Sequence, residues 1–405
     1  MANNDIPYLR VGTNYFKIIQ QPLASKDSIK KIIYWSGGTI NEDHGADFKR
    51  KIPKYDSFCN IPDNMNYKRV FGNSYNIYEP IEWKLKPGKF ENIEMFLNHI
   101  FGEQYEIGLD YLSIIWKHPT QILPILCLVS SERNTGKTTF LNFLKDIFGF
   151  NMTINTNEDF RNQFNSGWAS KLIIGVDEVL LDKKEDAERI KNLSTTKSIK
   201  SEAKGKDKIE QEFYGKFILC SNNETDFIKI EPLEIRFWIR KVPVINHENN
   251  KLREIMKKEI PAFLHFLSTR KIITENKTRM WFSREELYTD ALHKVINSGQ
   301  SKYEKEINNL IVDQLLNFDL DELQLTPKDI IELLKDENNV YRITKTEITN
   351  IISNKWNYRS IDEPKYYKRY SFRYENNGTY LKHETGKTGR FYTFPKKDFI
   401  KKSEK

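Results

Sequence analysis

Apolar positions along this chain change their spacing several times. The first stretch holds short β-type runs, Tyr15-Phe16-Lys17-Ile18-Ile19 and Lys31-Ile32-Ile33-Tyr34-Trp35, set among many Tyr and Asn residues. Such runs, closed by Lys86-Pro87-Gly88, predict a small α+β domain over residues 1–85. Helical spacing follows over Asn92–Phe101 and Tyr105–Trp116 and stops at His118-Pro119, so 86–120 reads as a helical approach segment. Over 121–250, short apolar strands alternate with amphipathic helices, which predicts a mostly parallel sheet covered by helices. Residues 251–320 return to helical spacing, with Ile255, Ile260, Phe263, Leu264 and Leu267 on one face. The remainder, 321–405, reads helix, turn, helix and then β-rich. The expected class is α/β.

Composition narrows this picture. A charged fraction of 30% and a hydrophobic fraction of 39% fit soluble domains with real cores, and 405 residues exceed one ordinary domain. No apolar run reaches the ~18 residues of a membrane span, and Met1-Ala2-Asn3-Asn4-Asp5-Ile6 does not read as a secretory signal. Cys59, Cys127 and Cys220 are scattered and form neither a disulfide framework nor a metal cluster, as expected of thiols in a reducing cytosol. A cytoplasmic setting, in a bacterium or a phage-infected host, is expected. The formal charge of +8 is compatible with a polyanionic partner, but where the charge sits matters more.

The most informative segment runs from Ile125 to Thr139. A β run, Ile125–Val129, leads into the loop Ser131-Glu132-Arg133-Asn134-Thr135-Gly136, then Lys137-Thr138-Thr139 opens a helical pattern that closes at Gly149. A strand, loop and helix in that order can cradle phosphate, because loop N–H groups point inward and the helix N-terminus adds its positive end. Lys137 would then reach the β- and γ-phosphates of ATP, and the Thr138 hydroxyl would take a position on Mg²⁺. The usual first glycine of such a loop is here Ser131, which tolerates fewer backbone conformations. A second Gly-Lys-Thr, in Thr385-Gly386-Lys387-Thr388-Gly389, lacks the flanking strand and helix and reads as a hairpin turn.

Three further features follow in order. Lys171-Leu172-Ile173-Ile174-Gly175-Val176-Asp177-Glu178 is an apolar strand that delivers two carboxylates at its C-terminal end. Asp177 would hold Mg²⁺, and Glu178 would orient and deprotonate the attacking water. Lys216–Asn223 is another buried strand, and it ends with Asn222 placed to sense phosphate or hold that water. Arg236 then opens an apolar run, where an arginine can reach across a subunit boundary and neutralise transition-state charge; Arg240 is the weaker candidate.

In that order these motifs resemble the superfamily 3 helicases of viruses, phages and mobile elements, in particular their primase-helicase branch. The resemblance covers roughly Asn92 to Pro243. It implies an AAA+ core and a homo-hexameric ring, with ATP between subunits and the arginine supplied by the neighbour. It also implies a channel β-hairpin that tracks single-stranded DNA. That hairpin matches Ile199–Ile209, where Gly205 permits a tight tip among Lys204, Lys206 and Lys208, a ring of which would grip successive phosphates. Members of this branch often carry a priming polymerase domain upstream. Residues 1–85 are too few for one, so a separate primase or polymerase is expected as partner.

At the C-terminal end, Thr326-Pro327-Lys328-Asp329 starts one helix and Thr344 a second, running to Trp356. Lys365, Lys368, Arg369, Arg373, Lys382, Lys387 and Arg390 then interleave with Tyr366, Tyr367, Tyr370 and Tyr374. Together these suggest a winged-helix-like domain able to meet duplex DNA. Two other functions stay open: a nucleotide-switched replication initiator or scaffold, and, further off, a small-molecule kinase.

Overall fold

The computed structural model describes residues 6–22, 28–161, 165–181, 184–201, 209–231, 234–245, 249–299, 302–338, 343–374 and 380–400. The chain divides into two compact units, 1–228 with 235–293, and 229–234 with 294–405.

The first unit begins with a twisted sheet of Tyr8–Val11 (β1), Asn14–Pro22 (β2), Ser28–Trp35 (β3) and Lys54–Tyr55 (β4), in the order β3-β2-β1-β4. Strand periodicity sends alternate residues to opposite faces. Leu9, Val11, Phe16, Ile18 and Ile32 pack on one side. Tyr8, Tyr15 and Trp35 pack on the other with Ile40 of helix Gly37–His44 (α1). A smaller sheet, Ser57–Cys59 (β5), Val70–Phe71 (β6) and Ser74–Asn76 (β7), follows. Asn151 fastens this N-terminal part to the rest of the unit. Its amide accepts the Glu79 N–H at 2.9 Å and donates to the Glu79 carbonyl at 2.7 Å.

Helices Glu91–Phe101 (α2) and Tyr105–Lys117 (α3) come next, close to the ranges their apolar spacing predicts. They pack beside the central sheet, which consists of Ile125–Val129 (β8), Met152–Asn155 (β9), Ile173–Val176 (β10), Lys216–Ser221 (β13) and Phe237–Lys241 (β14). All its neighbours are parallel and its order is β14-β8-β13-β10-β9. Every residue of β8, β10 and β13 is buried, as expected of strands covered on both faces. Helices Lys137–Phe148 (α4), Asn157–Arg161 (α5) and Lys184–Leu193 (α6) connect these strands, and Leu252–Thr269 (α7) packs against α2, α3 and α4. Ser198–Ser201 (β11) and Ile209–Glu212 (β12) form a separate antiparallel pair, so a hairpin stands where the lysine-rich segment predicts one. Lys204, Lys206 and Lys208 lie outside the described residues.

Arg284–Leu287 (α8) and Asp290–Gly299 (α9) lead to the second unit, which holds Lys302–Asn317 (α10), Glu322–Leu325 (β15), Pro327–Asn338 (α11) and Lys345–Thr349 (α12). α12 runs on as one π-helical stretch, Asn350–Lys355. Strands Lys365–Tyr374 (β16) and Tyr380–Gly389 (β17) pair over ten positions, and Tyr392–Pro395 (β18) pairs with β15. This corrects the reading of Thr385–Gly389 as a hairpin turn: it is the second half of β17, paired in register with Lys365–Arg369. The basic stripe also proves to be partly internal. Lys387 pairs with Asp329 at 2.7 Å, and Arg369 with Glu332 at 2.6 Å, so these two cations hold the hairpin to α11.

One close approach fixes the helices beside the sheet. A Cβ on Gly108 of α3 would stand 2.3 Å from the ring of Phe101. That ring has no room to yield, because it is fully buried and stacks at 5.4 Å on Trp238 of β14. Gly108→Ala is expected to cost about 1–3 kcal/mol through overpacking. A lowered urea midpoint at unchanged slope is the readout, and an unaltered midpoint would contradict this packing.

Candidate functional site

The parallel sheet gathers its C-terminal strand ends along one edge, where ligands of α/β sheets bind. Three of the predicted features meet there. The chain leaves β8 through Ser130, whose N–H donates to the Ser221 carbonyl at 3.2 Å. Ser131, Glu132, Arg133 and Asn134 then form an exposed loop. Two loop residues have positive φ, Asn134 at 54° and Gly136 at 87°. Asparagine tolerates this region, and Gly136 needs to be glycine twice over, since a Cβ there would press on Phe96 at 3.1 Å and Ile245 at 3.2 Å. Ser131 is not among the positive-φ residues, so the place where glycine is usual has an ordinary backbone here and accepts serine.

Gly136 is also the N-cap of α4 and leaves the helix start without a side-chain cap, so its first N–H groups face the loop. Lys137 is buried and bends back, donating to Thr135 Oγ1 at 3.0 Å. Burial lowers its pKa, and the nearby carboxylates of Asp177 and Glu224 act against that shift. Thr138 Oγ1 donates to Asp177 Oδ2 at 2.8 Å. Thr139 is half-buried on the same first turn.

Asp177 follows β10 directly. Glu178 is exposed and holds a φ of 52°, a strained conformation for glutamate. Its surroundings fix it. Asn157 donates to the Glu178 carbonyl at 3.1 Å and accepts the Leu180 N–H at 3.2 Å, while the Val179 N–H donates to Cys220 at 2.7 Å. Asn222 is exposed one residue past β13, on the same edge. The next residue, Asn223, is a turn former, its Oδ1 accepting the N–H groups of Thr225 and Asp226 at 3.0 and 2.8 Å.

The two arginines are placed elsewhere. Arg236 immediately precedes β14, whose Phe237 lies beside Ile125, at the far end of the sheet from Val129 and the loop. At a rise of about 3.3 Å per residue, the length of β8 separates it from its own chain's loop by more than ~13 Å. Arg240 is buried, donating to Glu103 at 2.8 Å and lying 3.4 Å from Gln104 Oε1. It is a packing residue.

Three contributors were not legible beforehand: Asn157, Glu224 with Lys241, and His99 of α2, whose Nε2 lies 3.0 Å from the Thr135 carbonyl. Asn and Glu in turns are too common to single out, and only the sheet order shows that β13 and β14 flank β8.

The arrangement is that of an α/β protein whose parallel sheet brings a strand-loop-helix junction beside a pair of carboxylate residues. A family described only as being of unknown function, DUF5906, matches residues 128–236, from the end of β8 to the residue before β14. No curated protein matches. Among solved structures, the apo C-terminal region (305–718) of NrS-1 aligns with a TM-score of 0.63 at 14% identity, over 93% of this chain and 94% of that one. An A-form apo structure of the same region gives a TM-score of 0.59 at 15% identity, covering 86% of this chain and 83% of that one. Another A-form structure gives 0.58 at 17%, covering 85% and 83%. At these identities the likeness establishes a shared fold.

Arg240→Met should cost about 1–3 kcal/mol, the usual range for lost buried hydrogen bonds to a charged group. The check is chemical denaturation. A variant as stable as the parent would show that Arg240 is not held by Glu103 and Gln104 in solution.

Proposed function

We propose that this protein is an ATP-hydrolysing DNA motor of the superfamily 3 type, built on an AAA+ core. The observation that carries the reading is the 2.8 Å bond from Thr138 to Asp177. It joins the loop-helix junction to the acid of a different strand at the phosphate-facing edge, as a triphosphate-hydrolysing site requires. The sheet order supports it: numbered by appearance, the five strands run 5-1-4-3-2. Further support is the fold shared with the C-terminal region of NrS-1.

In this reading the N–H groups of the loop and of the first turn of α4 bind the phosphates, and Lys137 turns from Thr135 to the β- and γ-oxygens. The Thr138 hydroxyl and the Asp177 carboxylate are hard oxygen donors within hydrogen-bond reach of each other, which fits Mg²⁺. Mg²⁺, when bound, would neutralise developing charge on the phosphates. Glu178, whose backbone is held by Asn157, would orient and deprotonate water, with Asn222 on the same edge of the sheet. Arg236 is too far from its own chain's loop to act there, so it would serve the neighbouring subunit of a hexameric ring. Lys204, Lys206 and Lys208 would grip single-stranded DNA. In the second unit, α11 and α12 followed by the β16–β17 hairpin form a winged-helix-like arrangement for duplex DNA. Arg369 and Lys387 are committed to α11, so phosphate contact falls to the outward-facing basic residues.

Lys137→Ala is expected to lower DNA-stimulated ATP hydrolysis by about a hundred-fold or more while the protein remains folded. Turnover retained in that variant would refute the assignment. A forked duplex should be unwound with ATP and not with a non-hydrolysable analogue; equal outcomes would favour a nucleotide-switched scaffold. Arg236→Ala alone should be inactive, yet mixing it with Lys137→Ala subunits should restore measurable turnover, because intact arginines then face intact loops. A mixture as silent as its components would exclude a role in trans.

A further inference from the structure

Glu224 lies in the turn after β13 and makes three contacts that cross the sheet. Its Oε1 accepts both the N–H and the Oγ–H of Ser131, each at 3.0 Å. Its Oε2 accepts from Lys241 Nζ at 2.9 Å. Ser131 follows β8, Glu224 follows β13 and Lys241 ends β14, and β8 lies between the other two. One carboxylate therefore ties the two flanking strands together over the start of the loop. It is mostly shielded, at 17% exposure, whereas the Lys241 side chain is 52% exposed. Burial alone would raise its pKa, but the bonds from Ser131 and Lys241 prevail and keep it charged at neutral pH.

Resting on the nucleotide reading above, the geometry points to Glu224 as a positioning residue for triphosphate binding, with Ser131 as its partner on the loop and Lys241 as its counter-ion. Glycine at 131 would offer the carboxylate an N–H alone; serine offers a second donor and fixes the loop at its first residue. Among the described residues, the exposed residues 132–134 are otherwise tied by the Glu132 N–H to Ser130 Oγ at 3.2 Å and the Ile245 N–H to the Asn134 carbonyl at 2.9 Å. Holding residue 131 reduces the freedom that phosphate binding must remove, which strengthens binding without touching the reacting atoms. Asn223 caps its turn independently of Glu224, so Asn222 keeps its place when Glu224 is changed.

The test measures the affinity of full-length protein for a fluorescent ATP analogue, together with KM and kcat for ATP. Glu224→Ala should weaken binding and raise KM by about ten-fold, with kcat at saturation within about two-fold of the parent. Glu224→Gln keeps an oxygen for Ser131 and should recover most of the loss. Ser131→Ala should weaken binding by itself and add nothing further in the Glu224→Ala background, since the two residues share one interaction. Unchanged affinity in Glu224→Ala, additive losses, or a fall in kcat at constant KM would each overturn the positioning role. A parent protein that binds no nucleotide would instead overturn the nucleotide reading itself.

Discussion

The hydrogen bond between Thr138 and Asp177 depends on almost everything else in the first unit. The two residues lie 39 positions apart in sequence, Thr138 on the first turn of the helix that follows β8 and Asp177 just past β10, strands separated in the sheet by β13. Their meeting requires β8 and β10 to run parallel in a fixed register, which β13 provides by pairing Leu219 with both Val176 and Cys127. Strands buried on both faces cannot slip by one residue without reversing which side chains meet each helix layer. The position of two oxygen atoms at the edge is therefore set by the apolar packing of the sheet interior.

That edge needs support from outside the sheet, and α2 supplies much of it. Phe96 and Ile100 approach Gly136, and His99 reaches the Thr135 carbonyl from the same helix. Phe101 stacks on Trp238, whose indole N–H donates to Gln104 at 2.6 Å, so the turn between α2 and α3 is bonded to β14. A buried indole or guanidinium left without partners would cost free energy, which explains why Gln104 and Arg240 meet here. The approach segment thus acts as the wall of the site. Its sequence shows only two amphipathic helices, because an apolar face reveals that a helix packs, not what it packs against.

The parts that were legible share a physical cause. Fully apolar runs ending in Asp177-Glu178 or Ser221-Asn222 announce buried strands, and the shift to helical spacing after Gly136 announces α4, since each pattern has few alternative explanations. Side-chain partners are a different matter. Arg240 resembles a surface cation until Glu103 and Gln104 are seen around it. Thr385–Gly389 carries turn residues yet lies in a strand, because ten cross-strand pairings outweigh local preference. Ser131 looked like a weak point, and the observed backbone shows that the positive φ values fall at 134 and 136 instead.

The second unit shows the same division between pattern and partner, with consequences for charge. A stripe of lysine and arginine among tyrosines invites a nucleic-acid reading, but buried Asp329 draws part of it inward. It accepts from Thr326 Oγ1 at 2.6 Å and Lys387 at 2.7 Å, and the Tyr367 hydroxyl completes its shell. These bonds outweigh burial and keep its carboxyl below the usual range, so the acid stays ionised and its cation stays committed. A buried carboxylate so arranged makes the hairpin's angle to α11 a matter of electrostatics as well as packing. It follows that the outward positive charge of this unit is smaller than the count of basic residues implies.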